Sequence, residues 1–196
     1  MKIAFFDFDG TITTKDTLLE VIKYQKGKAG FYTGFLLNAP FMAALKLKLI
    51  SNQAAKERML KYFFKGTDLK SFQQGCDSFI DEALPSMIRP GALDEIKKLK
   101  SAGFEIVVVS ASPQNWIKKW SDANGLGLIA TKLQSVSEVL TGYIDGINNN
   151  ADEKAVRIKA EYDLSKYREI NCYGDSNGDK AMFALGTKTF FKPFRG

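Results

Sequence analysis

Ile3-Ala4-Phe5-Phe6-Asp7-Phe8-Asp9-Gly10-Thr11 is the stretch that decides the fold of this 196-residue chain. An apolar run that ends abruptly in acids reads as a strand, here Lys2 to Phe8, buried on both faces of a sheet. Residues two apart on an extended segment face the same way, so Asp7 and Asp9 share a side. They fall at the carboxyl edge of the strand, where doubly wound sheets bind ligands. Asp9-Gly10 is also a turn signal. A turn accounts for those two residues but leaves Asp7 as a partly buried charge without a partner, at a cost of several kcal/mol.

Working outward, Phe104 to Ser110 reads as a second clear strand, and Glu169 to Tyr173 and Thr187 to Phe191 as weaker ones. Between them lie helical patterns: Ala92 to Ala102, Pro113 to Asn124, Asp152 to Tyr162 and Asp179 to Leu185. Gly103, Gly125 and Gly186 close the first, second and fourth. Strands alternating with helices imply an α/β fold, a doubly wound (Rossmann-like) parallel sheet.

One stretch breaks the alternation. From Thr14 to Ser86 there is helical periodicity and no convincing strand, with turn signals at Gly27, Asn38-Ala39-Pro40, Gly66 and Pro85. The expected organisation is therefore a core of residues 1–13 and 87–196 with an all-helical insert at 14–86. The insert holds 11 Lys and Arg against 7 Asp and Glu, so most of the small positive excess of the chain sits there. Within it, Ala29 to Leu45 has no charged residue across 17 positions, at the short edge of a membrane span and interrupted by Asn38 and Pro40. A core-facing helical hairpin is the plain expectation, and a surface that touches lipid is the alternative.

Two further strand tips resemble the first. After Ile106 to Val109 comes Ser110-Ala111-Ser112-Pro113. Pro113 suits a first helical position and Ser112 an N-cap, which leaves Ser110 as the candidate for holding an anion. The other tip reads Tyr173-Gly174-Asp175-Ser176-Asn177-Gly178-Asp179. Asp179 could serve the positive end of its helix, but Asp175 has no such role. Acids gathered at one sheet edge repel one another unless a cation joins them, and oxygen-only ligands suit Mg2+. A lysine would complete the electrostatics, with Lys154 the first candidate and Lys159 the second.

The totals narrow the chemistry. The chain has no histidine, which excludes Ser/His/Asp hydrolases, Cys/His enzymes, histidine-phosphorylating phosphatases and His-rich dinuclear metal sites. A formal charge of +6, from 28 basic and 22 acidic residues, is spread without like-charge blocks, so nucleic acid is not an expected partner. Cys76 and Cys172 lack metal-ligand spacing, and the chain shows no secretory start, so a cytoplasmic protein with reduced thiols is expected.

Taken together, Asp7-Phe8-Asp9-Gly10-Thr11, the strand-terminal Ser110, the intervening Lys154 and Gly174-Asp175-Ser176-Asn177-Gly178-Asp179 resemble the haloacid dehalogenase-like (HAD) superfamily. They stand in the order that family uses. The long insert after the first motif is similar to the phosphoserine phosphatase-like branch, which carries a helical cap. The resemblance implies an Mg2+-dependent phosphatase in which Asp7 is the nucleophile and Asp9 the general acid and base. It assigns phosphoryl binding to Ser110 and Lys154. It assigns the metal to Asp7, the Asp9 carbonyl and Asp175, with Asp179 in support. An acid two positions after the nucleophile implies fast hydrolysis of the aspartyl-phosphate.

The resemblance also marks cap residues for the substrate. Asp16 stands where phosphoserine phosphatases keep a glutamate, and Arg58 about where they have a carboxylate-binding arginine. Two departures weaken phosphoserine itself: Ala111-Ser112 replace the usual glycines, and Gly178 stands in place of an asparagine. A small phosphorylated metabolite or a lipid phosphate is the expected substrate, with peripheral membrane contact as a corollary of the second. The sequence does not set the oligomeric state.

Overall fold

The computed structural model describes residues 1–47 and 49–195, less the side chains of Met42 and Lys46. In chain order its strands are β1 (Lys2–Phe6), β2 (Glu105–Pro113), β3 (Gly127–Thr131), β4 (Leu133–Val136), β5 (Val139–Ile144), β6 (Glu169–Gly174) and β7 (Lys188–Phe191). Five of them form a parallel sheet in the order β3-β2-β1-β6-β7, and β4 pairs with β5 in a separate antiparallel hairpin.

β1 is the central strand, and its apolar run is continuous because both faces are covered. Ile3 and Phe5 point to one side and pack with Val107, Val109, Cys172 and Ile158. Ala4 and Phe6 point to the other and join Ile106, Val108 and Tyr173. Phe6, Tyr173 and Phe190 stack ring on ring across three strands, at centroid separations of 4.1 and 4.4 Å. Each such side chain, fully buried, contributes about 1.5–3 kcal/mol. The register sets Phe6 opposite both Val108 and Tyr173, so the three central strands reach the carboxyl edge side by side. The Asp7 amide continues the ladder, donating to the Tyr173 carbonyl at 2.8 Å.

Four helices lie between β1 and β2: α1 (Thr17–Lys46), α2 (Asn52–Phe64), α3 (Leu69–Glu82) and α4 (Pro90–Ser101). The rest are α5 (Lys118–Ala123), α6 (Asp152–Glu161) and α7 (Lys180–Phe183). α1 kinks at Gly27 (φ 71°, ψ 166°) but runs on through Asn38, Ala39 and Pro40, so the turn expected there does not form. The Asn38 side-chain amide donates to the Gly34 carbonyl at 2.8 Å, inside the helix. The reversal comes after Leu47, and Ser51 caps α2 by accepting from the Ala54 amide at 3.1 Å. The inner faces of α1, α2 and α3 share one core with the sheet, through Ile22, Leu60, Phe64 and Phe79.

Two other expectations change. β2 extends to Pro113, so the helix expected from Pro113 reduces to a single 3-10 turn, Gln114–Trp116, followed by α5. Ser112 is therefore not an N-cap. Its hydroxyl is drawn into the sheet edge by Asp9. β3, β4 and β5 were not foreseen. The β4–β5 turn is built by Ser137 and Glu138, both at positive φ (50° and 60°), with none of the Asn or Gly that signals such a turn.

The hairpin is sewn to the α2–α3 loop by three main-chain hydrogen bonds. These are Gly66 N to Leu140 O (2.9 Å), Leu140 N to Thr67 O (2.9 Å) and Leu69 N to Glu138 O (2.8 Å). Gly142 lets β5 lie against α2: its φ is +79°, and a Cβ there would stand 2.6 Å from the Lys61 Cα. Since the obstructing atom is backbone, Gly142→Ala is expected to cost roughly 2 kcal/mol or more. The urea midpoint should fall with an unchanged m-value, and an unshifted midpoint would contradict this packing.

Candidate active site

Three strand ends and one helix supply the site. After β1 the chain turns at Gly10 (φ +81°), where a Cβ would lie 2.4 Å from Asp175 Oδ2, so only glycine lets this loop meet the β6 loop. Asp7 is buried, and its Oδ1 accepts from Lys154 Nζ at 2.5 Å. The same ammonium donates to Asp179 Oδ1 at 2.7 Å, and Lys154 is only 1% exposed. Lys154 reaches this point from the first turn of α6.

Burial pushes the Asp7 carboxyl up to about 7, against the pull of Lys154 and with the Asp179 charge adding to the rise. Burial opposes the Lys154 ammonium too, but the two carboxylates outweigh it and hold its pKa above the ordinary lysine value. Asp179 is likewise desolvated, yet Lys154 and the donors of Ser176 keep it below the usual carboxylate range. Its Oδ2 accepts from the Asp175 amide (3.1 Å), the Ser176 amide (3.0 Å) and the Ser176 hydroxyl (3.0 Å). Asp179 thus shapes the β6 loop through a capping box with Ser176.

Asp9 is held differently. Its Oδ1 accepts from the Thr17 amide at 2.7 Å and the Thr17 hydroxyl at 2.6 Å, and its Oδ2 from the Ser112 hydroxyl at 2.6 Å. The Trp116 indole N–H donates to Thr17 Oγ1 at 2.9 Å, so a buried chain of three residues fixes the Asp9 carboxylate. Ser110, expected at the strand tip, lies inside β2 because the strand runs on to Pro113. Its side chain is fully buried, and its hydroxyl accepts from the Ser112 amide at 2.9 Å. Ala111 and Ser112, not Ser110, line the cavity.

That cavity measures about 140 Å³ and is walled by Asp7, Asp9, Asp16, Ser112, Asn150 and Lys154. A larger neighbour of about 260 Å³ shares Asp16, Leu18, Lys56, Ala111 and Asn150 with it and adds Leu19, Leu45, Ala55 and Met59. Asp16 caps α1, accepting from the Leu19 amide at 3.3 Å, and its carboxyl is raised by the surrounding protein and by the Asp9 charge. Arg58 does not reach either cavity: its Nε donates to Asn38 Oδ1 at 3.1 Å, and its guanidinium stacks on Phe41 at 4.4 Å.

Two residues that sequence reasoning passed over, Lys56 and Asn150, line both cavities. Lys56, two positions before Arg58 on α2, donates to the Ala111 carbonyl at 2.7 Å and to Asn148 Oδ1 at 2.8 Å. Desolvation lowers its pKa to about 8, against the attraction of Asp9 and Asp16. Asn150 fills the space that a side chain at 178 would need, since a Cβ on Gly178 would sit 2.4 Å from Asn150 Oδ1. The departure at Gly178 was the signal: the amide at this spot comes from a different loop. Its positioning strains the backbone, with Ala151 at φ 54° and ψ −123° and its amide donating to the Gly178 carbonyl at 3.1 Å.

A cation has a place here. Asp7, Asp175 and Asp179 each offer a carboxylate oxygen, and these oxygens lie within 4.8 Å of one another. Asp9 lies outside that group, its side chain turned to Thr17 and Ser112. Burial also raises Asp175, partly relieved by the Arg195 guanidinium, which pairs with its Oδ2. Asp7 and Asp175, both raised by desolvation, converge with Asp179 as oxygen donors only, which fits a hard divalent ion.

The chain matches the family model of the haloacid dehalogenase-like hydrolases over residues 4–184. It is 30% identical to Protein CicA of Caulobacter vibrioides over 198 residues, which cover 99% of this chain and 87% of that protein. It is 24% identical to a phosphoglycolate phosphatase of Thermoplasma acidophilum, over 94% of this chain and 82% of that one. The solved structure of a phospho-aspartyl intermediate analogue of phosphoserine phosphatase superposes at a TM-score of 0.70 and 18% identity, covering 96% of this chain and 84% of the other, a likeness of fold. With the four motifs at one sheet edge, this chain belongs to the haloacid dehalogenase-like hydrolases.

Proposed function

We propose that this protein is a phosphatase that hydrolyses a phosphomonoester through an aspartyl-phosphate on Asp7. The observation that supports this most is the buried ammonium of Lys154, which holds the Asp7 carboxylate at the mouth of the β1 tip, beside Asp9. Asp7 attacks phosphorus in line, forming the acyl-phosphate as the alkoxide leaves. Asp9, oriented by Thr17 and Ser112, protonates that alkoxide and then takes the proton of the water that cleaves the acyl-phosphate. Lys154 stays within reach of the phosphoryl oxygens, and the Ser112 and Asn150 side chains border them. Ser110 acts from behind, through the Ser112 amide.

Mg2+ would be held by Asp7, Asp175 and the Asp9 main chain, supported by Asp179, and would supply charge neutralisation for the equatorial oxygens. Residues 14–86 serve as the cap over the 1–13 and 87–196 core, because Lys56 and Leu18 reach from it into the cavity. A cytoplasmic setting suits the free, buried thiols of Cys76 and Cys172. The substrate is a small phosphorylated metabolite whose alcohol portion occupies the larger cavity. A lipid phosphate is the second reading, favoured by the Leu18, Leu19, Leu45 and Met59 wall of that cavity.

Asp7→Asn is expected to lower Mg2+-dependent phosphate release from an aryl phosphate by roughly a thousandfold or more, with an unchanged circular-dichroism spectrum. Residual turnover near wild type would refute the assignment. Mg2+ should raise the melting temperature of the wild type but not of Asp175→Asn. On a panel of metabolite and lipid phosphates, Lys56→Met should raise KM about tenfold, some 1.4 kcal/mol, for the preferred anionic substrate, whereas Arg58→Met should not. Because Lys56 is charged only below about 8, wild-type KM should climb as pH passes that value, and Lys56→Met should show no such climb.

A further inference from the structure

The outer face of α1 is apolar where a surface helix is usually charged. Phe31 and Asn38 are buried on the inner side, while Tyr32, Leu36, Leu37 and Phe41 are 63, 74, 59 and 39% exposed. At about 100° per residue they spread over the half of the helix turned away from Phe31 and Asn38. Leu47 and Leu49, just beyond its end, continue it at 70 and 74% exposed. Scattered single apolar residues on a surface need no explanation, but a contiguous apolar face marks a surface that is covered in use.

Charge decides what covers it. In sequence, the uncharged run from Ala29 to Leu45 is flanked by Lys26 and Lys28 before it and Lys46 and Lys48 after it, with no Asp or Glu from Val21 to Lys56. A second copy of this chain would bring lysines against lysines around this face, which disfavours self-association there. An acyl boundary under anionic headgroups satisfies both halves of the pattern, with leucines in the boundary and lysines among the headgroups. Among the described residues no helix is long and apolar enough to cross a membrane, so the geometry is one of lying on the surface.

We propose that α1 docks this protein on an anionic lipid surface, with Tyr32, Leu36 and Leu37 entering the acyl boundary. This docking does not depend on the catalytic reading, and its test measures binding rather than turnover. Wild-type protein is sedimented with vesicles of phosphatidylcholine alone and of phosphatidylcholine with phosphatidylglycerol. Binding is expected to the second kind only and to weaken as salt is raised. The double variant Leu36→Ser, Leu37→Ser, which keeps the net charge, should lose about tenfold in vesicle affinity. Both positions are exposed, so its thermal unfolding should match the wild type. Failure to sediment with the anionic vesicles, or undiminished binding by the double variant, would overturn the proposal. So would a wild-type dimer that the double variant splits, since this face would then be covered by a second copy.

Discussion

The buried ammonium of Lys154 between Asp7 and Asp179 is the interaction on which the rest of the site depends. A lysine and two carboxylates withdrawn from water are costly individually, and they persist because each satisfies the others. The pairing also fixes distance between elements. Asp7 leaves the tip of β1, Asp179 follows β6, and Lys154 begins α6, so one cation sets how those three segments meet. Removing it would leave two acids facing each other in a desolvated space.

Much of this was legible in the sequence because the clustered acids sit at strand ends, where an apolar run stops on a polar residue. Asp7, Asp9, Asp175 and Asp179 were readable on that basis, and the parallel sheet followed from the alternation of strand and helix. Lys154 was harder, since a lysine on a helix is commonly a solvated side chain. Its place near the start of its helix put it ahead of Lys159, and the family resemblance strengthened that choice.

What the sequence concealed were choices made by tertiary contacts. Ser112 before Pro113 has the local signature of a helix start, yet a hydrogen bond to Asp9 from a distant strand keeps it extended. Arg58 and Lys56 lie two residues apart on α2, so they point to different sides. Nothing in a single sequence says which side faces the cavity, and α1, through Asn38 and Phe41, claims the arginine. The β4–β5 hairpin escaped notice because its turn lacks glycine, β4 is only four residues long and Gly142 interrupts β5.

The seam between the α2–α3 loop and that hairpin constrains how substrate can enter. The segment joining β1 to β2 is moored to the rest of the chain along its length as well as at its two covalent ends. Swinging it away as a block would break three main-chain hydrogen bonds. Gly27 already interrupts α1, so flexing there sacrifices no regular helical pairing. Leu45 and Asn52, which line the larger cavity, stand near the end of α1 and at the start of α2, at the other end of α2 from the moored loop.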